Sequence, residues 1–292
     1  MTIVPKNRHI DAATAIVGSP LRAKALLNGL ACKPSDTYMF LANGRKTYTE
    51  SLLLLQNVGR STTFLATSPQ CTEQVQPVSQ LIKQGVEVAL TSPARLAQAI
   101  MGPQEPLLEE AFENAGFAPL SMLYSMESLL DGPIPNETSG ANELDVLPYC
   151  DLSEQELQQV LVSTYKGSLD CPGIHGIRPV EDIIAGHKDS PHYDDSFWFI
   201  AKLHKKLAGV LLLTPVPEVR CIDITYLGAS PHARGKGVGN SLVRKAYEVA
   251  QDSQYKRISL AVDAQNTPAI HLYQRWNFRK IGQRFTMIKK LF

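Results

Sequence analysis

Hydrophobic and polar positions change period several times along the chain, and these changes define its elements. In the second half, Ser153 stands three residues before Glu156, and the apolar Leu157, Val160 and Leu161 follow at helical spacing. Ser-x-x-Glu ahead of an apolar stripe is a capping-box pattern, so a helix starts there. Residues 165–179 are crowded with glycine and proline, and 180–185 suit a short helix. Residues 196–203 and 207–214 read as two strands joined near Lys205 and Lys206. A third strand, 220–227, lies beyond a turn at 215–218. After Gly239 the helical period returns, with Leu242, Val243, Ala246, Val249 and Ala250 on one face as far as Asp252. Residues 257–262 then read as a strand, 267–276 as a helix and 285–288 as part of a closing strand.

The first half repeats part of this order. Residues 38–41, 52–56, 61–66 and 86–90 are expected strands, and 74–83 and 105–114 expected helices. The run EEAFENAGFAPLSMLYSM matches HLYQRWNFRKIGQRFTMI in pattern: helix, small turn, Phe, strand, with Phe117 in the place of Phe278. This reads as an internal duplication. Residues 131–142, DGPIPNETSGAN, have linker composition and separate a domain at 1–130 from one at 143–292. Helices alternating with strands of an open sheet give an α+β class with α/β-like layering.

Composition narrows the function. At 292 residues the chain has room for two domains, and 44% hydrophobic with 20% charged residues is globular. Twenty-nine basic and 28 acidic side chains leave a net charge of +1, with no basic stripe for a nucleic acid. No apolar run is long enough for a membrane span, and the first residues lack the apolar core of a secretory signal. The cysteines at 32, 71, 150, 171 and 221 are odd in number and show no CxxC spacing. They read as reduced thiols of a cytoplasmic protein, with no metal site.

The chemistry concentrates in ITYLGASPHARGKGVGNSLVRKA. A strand ends near Leu227, the chain turns at Ser230 and Pro231, and Arg234, Gly235, Lys236, Gly237, Val238 and Gly239 open a helix. Glycines at this density serve a sharp turn or a close approach. The free N–H groups of a helix start, with the positive end of its dipole, suit a diphosphate. A Walker A loop would need Ser or Thr after Lys236, where Gly237 stands, and a dinucleotide fingerprint would place the last glycine one position later. A glycine-rich surface turn is the plain alternative.

Strand, proline, Arg-Gly-x-Gly-x-Gly and amphipathic helix together resemble the acyl-CoA pyrophosphate loop of the GNAT superfamily of N-acetyltransferases. The family pattern Arg/Gln-x-x-Gly-x-Gly/Ala falls on Arg234, Gly237 and Gly239. A second family element falls on Asn266, Ala269 and Tyr273, leading to Phe278, with Asn277 where the family usually has Gly. The resemblance implies two GNAT-like domains, each a mixed, mostly antiparallel sheet flanked by helices, and acetyl-CoA as acyl donor. It implies that two parallel strands splay and that the pantetheine arm pairs with Leu227, Gly228 and Ala229. Residues 234–239 and Asn266 would complete the cofactor site.

For acyl transfer, Tyr273 matches the family tyrosine that donates to the leaving sulfur; the alternative is a core aromatic. Asp223 is the candidate base, since it alternates away from Ile222 and Ile224 and lies where some members keep a Glu. The alternative is a solvated or paired strand carboxylate. Residues 165–179 offer Asp170, Cys171, His175 and Arg178 for the acceptor, expected to be the primary amine of a small molecule attacking directly in a ternary complex. A non-catalytic acyl-CoA sensor or interaction module is the competing function. The first half has neither the glycines nor the arginine at the equivalent loop, and Phe112 stands where Tyr273 does. Its expected roles are scaffold, acceptor-site wall or homodimer surface, and the paired layout is loosely similar to mycothiol synthase.

Overall fold

The structure, a computed structural model, describes residues 2–31, 37–44, 48–132, 134–135 and 144–292. The chain forms two compact units, Met1–Ser121 with Arg284–Phe292, and Met122–Gln283. These limits differ from the expected ones. The first unit takes the C-terminal strand, and the second starts before the expected linker, most of which lies outside the described residues.

The first unit contains β1 (Thr2–Ile3), α1 (His9–Val17), α2 (Pro20–Ala31), β2 (Tyr38–Ala42), β3 (Ser51–Asn57), β4 (Ser61–Ala66), α3 (Val75–Leu90), β5 (Leu96–Met101) and α4 (Pro106–Asn114). β1 to β4 pair antiparallel in order, and β4 runs parallel to β5 from Ser61↔Leu96 to Phe64↔Ala99. Residues 285–290 close the sheet antiparallel to β5. β3 shows why the sheet is covered on both faces. Leu52 and Leu54 bury against α3 and α4, and Leu53 points the other way into the cluster of α1 and α2.

The expected strand at 86–90 is a correction, because α3 continues through it to Leu90. Val86 and Ala89, three apart, extend the buried stripe of Val78, Leu81 and Ile82, whereas Leu90 is exposed. Once nucleated, a helix gains one backbone bond for each residue added, and this outweighs a short alternating run.

The second unit contains most of β6 (Ala118–Leu129), then β7 (Leu144–Pro148), α5 (Glu154–Tyr165), α6 (Val180–Lys188), β8 (Trp198–Leu203), β9 (Lys206–Val216), β10 (Cys221–Ala229), α7 (Val238–Asp252), β11 (Arg257–Asp263), α8 (Thr267–Arg275) and the start of β12 (Arg279–Lys290). Its strands run in the order β7-β8-β9-β10-β11-β6, with β10 and β11 parallel and β6 antiparallel to β11. The capping box at α5 forms as expected: Ser153 N–H donates to Glu156 Oε2 at 3.0 Å, and Glu156 N–H donates to Ser153 Oγ at 3.2 Å. β9 is apolar on both faces. Val210 and Leu212 bury with α5 and α6, and Leu211 and Leu213 with α7 and α8, each worth about 1.5–3 kcal/mol of burial.

The two units share one plan. Each places a helix pair after an edge strand, β1 or β7, a helix between its two parallel strands and a short helix after the second of them. After that short helix both units turn through a left-handed residue, Gly116 (φ 83°) or Asn277 (φ 61°), and reach a phenylalanine. Phe117 N–H then donates to Phe112 O, and Phe278 N–H to Tyr273 O, each at 3.0 Å. Asn tolerates this conformation better than most residues, so the turn survives without glycine.

Candidate functional site

Where β10 and β11 stop pairing, the second unit opens. Their parallel ladder ends at Ile224↔Leu260, and a register irregularity against β9 falls at Thr225. The remaining ends, Tyr226 to Ala229 and Ala261 to Asp263, diverge around a cleft of about 400 Å³. Its walls include Leu227, Gly228 and Ala229 from β10, Val262 from β11, Asn266, Leu272 and Tyr273 from the α8 region, and Gly167 to Asp170 from the segment after α5.

At one end lies the glycine loop. Gly235 and Gly237 have φ of 73° and 82°, a region costly for side-chain-bearing residues. Gly237 caps α7 without any side-chain hydrogen bond, and no acidic residue occupies the first turn, so the helix start presents N–H groups and positive dipole unopposed. Gly239 has a different reason. A Cβ there would lie 3.0 Å from Leu272 Cδ2, so this glycine lets α7 approach α8 closely. Gly228 is also a packing position: its Cβ would meet Thr164 Cβ and the Tyr226 hydroxyl at 2.8 Å.

Arg234 binds the protein itself. Its guanidinium donates to Ala229 O at 3.1 Å, Gly167 O at 2.9 Å and Thr164 O at 2.9 Å. One side chain thus ties the end of β10 to the end of α5 and the loop beyond it. The planar fork suits this task, since its donors point in fixed, different directions. Lys236 and His232 are exposed on the same loop.

In the same cleft two phenols and a carboxylate converge. Thr164 Oγ1 donates its one proton to Leu161 O at 2.7 Å, so the Tyr226 hydroxyl, 2.7 Å away, is the donor to Thr164. The Tyr273 hydroxyl has no hydrogen-bond partner among the described residues, and its ring packs on Phe278 at 5.6 Å. Burial, with the Asp170 charge adding to it, pushes the Tyr273 phenol well above its ordinary value and keeps it protonated. Asp170 is itself half-buried. Burial pushes its carboxyl above the usual range and the neighbouring Asp263 adds to this, against a 3.4 Å hydrogen bond from Asp263 N–H. Asp263 is satisfied by backbone, accepting from Cys171 N–H at 3.1 Å and Gln265 N–H at 2.8 Å.

Of the residues expected at the site, Leu227, Gly228, Ala229, Arg234, Gly235, Gly239, Asn266, Tyr273 and Asp170 line the cleft. Asn266 also caps α8, accepting from Ala269 N–H at 3.4 Å. Gly237 and Val238 stand at the α7 start, with Val238 buried beneath it. Asp223 is elsewhere, in the paired part of β10, accepting from Ser259 Oγ at 2.6 Å. Cys171 sits beside the cleft in a left-handed conformation (φ 45°), its N–H on Asp263. His175 stacks on Tyr165 at 5.2 Å, and Arg178 lies among buried groups that include His187, whose imidazole burial pushes down to about 4. Thr164, Tyr226 and Asp263 were missed. Tyr226 had one readable signal, an aromatic hydroxyl two residues before the small Gly228 and Ala229 that end its strand. Among the described residues no group of three His, Cys, Asp or Glu side chains could hold a metal, and no helix is long and apolar enough to cross a membrane.

Comparison with known proteins agrees with this geometry. Residues 163–278 match the model of the Acetyltransferase (GNAT) family. The chain is 36% identical over 73 residues to a mycothiol acetyltransferase of Jonesia denitrificans, covering 25% of this chain and 23% of that protein. It spans less than half the length of the curated relatives it matches. Among solved structures, a GCN5-related N-acetyltransferase from Sphaerobacter thermophilus superposes with a TM-score of 0.68 at 16% identity, over 97% of this chain and 91% of that one. A tandem GNAT protein from the clavulanic acid biosynthesis pathway gives 0.54 at 13% identity, over 100% and 98%. The chain therefore carries the GNAT acetyltransferase fold and is a distant homologue of mycothiol acetyltransferase.

Proposed function

We propose that this protein is an acetyl-CoA-dependent N-acetyltransferase acting on the primary amine of a small polar molecule. One observation carries the reading: a single cleft joins an uncapped, glycine-turned helix start to a buried, protonated phenol across a gap between parallel strands. The α7 start would receive the diphosphate of acetyl-CoA, and the unpaired backbone at Leu227 to Ala229 would pair with its pantetheine arm. Acetyl-CoA supplies an activated thioester. Tyr273 protonates the sulfur as the C–S bond breaks, while the acceptor amine attacks directly from the side of Gly167 to Asp170. Arg234 acts as a staple that positions the acceptor wall, and Asp223 belongs to the β10–β11 ladder.

The first unit fits the same plan without the chemistry. The segment after β4 has neither glycine nor arginine, and Phe112 packs on Phe117 at 5.0 Å where Tyr273 packs on Phe278. We read the chain as a duplicated GNAT pair with one half lacking a catalytic site.

Isothermal titration with acetyl-CoA, followed by mass-spectrometric screening against a metabolite extract, tests the proposal. Micromolar binding with acetylated small amines is expected. Binding without transfer would favour a sensor, and absence of binding at millimolar ligand would refute the reading.

A further inference from the structure

The cleft contains a carboxylate that the chemistry above does not use. Asp170 lies on the segment that Arg234 ties down through the Gly167 carbonyl, and it faces the same cleft as Tyr273 and Tyr226. The chain holds it firmly. Its N–H donates to Ser168 Oγ at 3.1 Å, and its Oδ1 accepts from Asp263 N–H at 3.4 Å. The other oxygen has no partner among the described residues. The carboxylate is close enough to Tyr273, Tyr226 and Tyr165 to disfavour the ionisation of all three.

The neighbouring carboxylate sharpens the assignment. Asp263 spends both oxygens on backbone N–H groups, so it is committed to the loop, whereas Asp170 keeps a lone pair for something that enters. Asp223 cannot serve in this way. It sits in the paired ladder with Ser259, and it does not line the cleft. A group facing an open carboxylate and a protonated phenol is best matched by a primary ammonium, which brings both positive charge and protons to lose.

Resting on the acetyltransferase reading, we propose that Asp170 is the group that binds the acceptor ammonium and takes its proton. The balance is simple. The ammonium gives one proton to Asp170, freeing the nitrogen lone pair, which forms the N–C bond with the acetyl carbonyl. The C–S bond breaks, and Tyr273 gives its proton to the departing thiolate. The second nitrogen proton returns to Tyr273, and Asp170 releases the first to solvent. Overall, ammonium and thioester become amide, thiol and one proton. Burial raises the carboxyl toward the pH at which such a transfer is effective.

The full-length protein and Asp170→Asn are compared with acetyl-CoA and a panel of D-glucosamine, L-cysteine, L-aspartate and L-lysine, with products read by mass spectrometry. Acetyl-CoA affinity, measured by titration calorimetry, should stay within about twofold, because Asp170 lies at the acceptor side. For the amine the wild type acetylates fastest, kcat/KM should fall about 100-fold or more near neutral pH. The acidic limb should move to higher pH, from the titration of the carboxyl in the wild type to that of the amine itself in the variant. A variant within threefold of wild type, or one that loses rate with an unchanged pH profile, overturns the assignment and leaves the acetyltransferase reading standing. A wild type that binds acetyl-CoA but acetylates no amine in the panel or in a metabolite extract overturns both.

Discussion

Removing the Arg234 guanidinium while keeping the aliphatic stem, as in Arg234→Met, separates a phosphate ligand from a structural staple. A side chain whose task was only to meet diphosphate would leave the ligand-free protein unchanged. The structure instead gives it three hydrogen bonds of 2.9–3.1 Å to the carbonyls of Ala229, Gly167 and Thr164. Arg234 is exposed, so each bond belongs at the low end of the usual net range. At about 0.7 kcal/mol apiece the loss is about 2 kcal/mol. For a unit of this size, that lowers Tm by about 4–8 °C. Arg234→Lys should recover no more than about a third, because an ammonium lacks the fork that reaches three carbonyls. Thermal denaturation by circular dichroism without ligand measures this directly, and hydrogen exchange should quicken across 166–170. A Tm within 1 °C of wild type for Arg234→Met would refute the staple.

The remaining predictions concern single groups. Tyr273→Phe should fold normally, since Phe112 already packs this way in the first unit, and should lower kcat by about 10²–10⁴ with acetyl-CoA affinity unchanged. Equal turnover would remove Tyr273 from the chemistry. Gly237→Val forces a β-branched residue to φ 82° over the helix start and should weaken acetyl-CoA binding at least tenfold by calorimetry; an unchanged affinity would point to a plain surface turn. Burial holds the Asp223 carboxyl above its usual range despite Ser259, so the folded chain binds that proton more tightly than the unfolded chain. Stability is therefore lost as pH rises from the ordinary Asp value near ~4 through the raised one. Asp223→Asn keeps an acceptor for Ser259, so it should melt with wild type at about pH 3 and above it at about pH 8; a lower Tm at pH 8 would contradict this.

What the sequence revealed followed from local rules. The capping box at Ser153, the stripe of Leu242 to Ala250 and the left-handed turn at Asn277 each depend on residues within one turn or two, and each appears where expected. The glycine loop was legible too, although its residues divide the work differently: Gly237 turns the chain, Gly239 lets helices approach, and Arg234 holds carbonyls. Helices α1 and α2 went unread because IDAATAIVGSPLRAKALLNGLA has small residues on most faces and little contrast between them. The strand at Leu96 to Met101 was hidden behind a false one at 86–90, whose alternation also fits a helix face. Tyr226, Thr164 and Asp263 come together only through contacts spanning tens of residues, which no local pattern encodes.

The last strand has a consequence for how the protein is made. β5 finds its antiparallel neighbour only in residues 285–290, and β11 takes its own from 123–129. Until almost all of this sequence has left the ribosome, β5 carries a bare edge, the kind of surface that recruits other chains. Cutting the gene near codon 130 would yield a first piece lacking its closing strand and a second lacking the neighbour of β11. Deletion of residues 1–130 would strip from β11 the strand that pairs with it. Strand exchange of this kind makes the folding of each half depend on a strand that the other half of the sequence encodes.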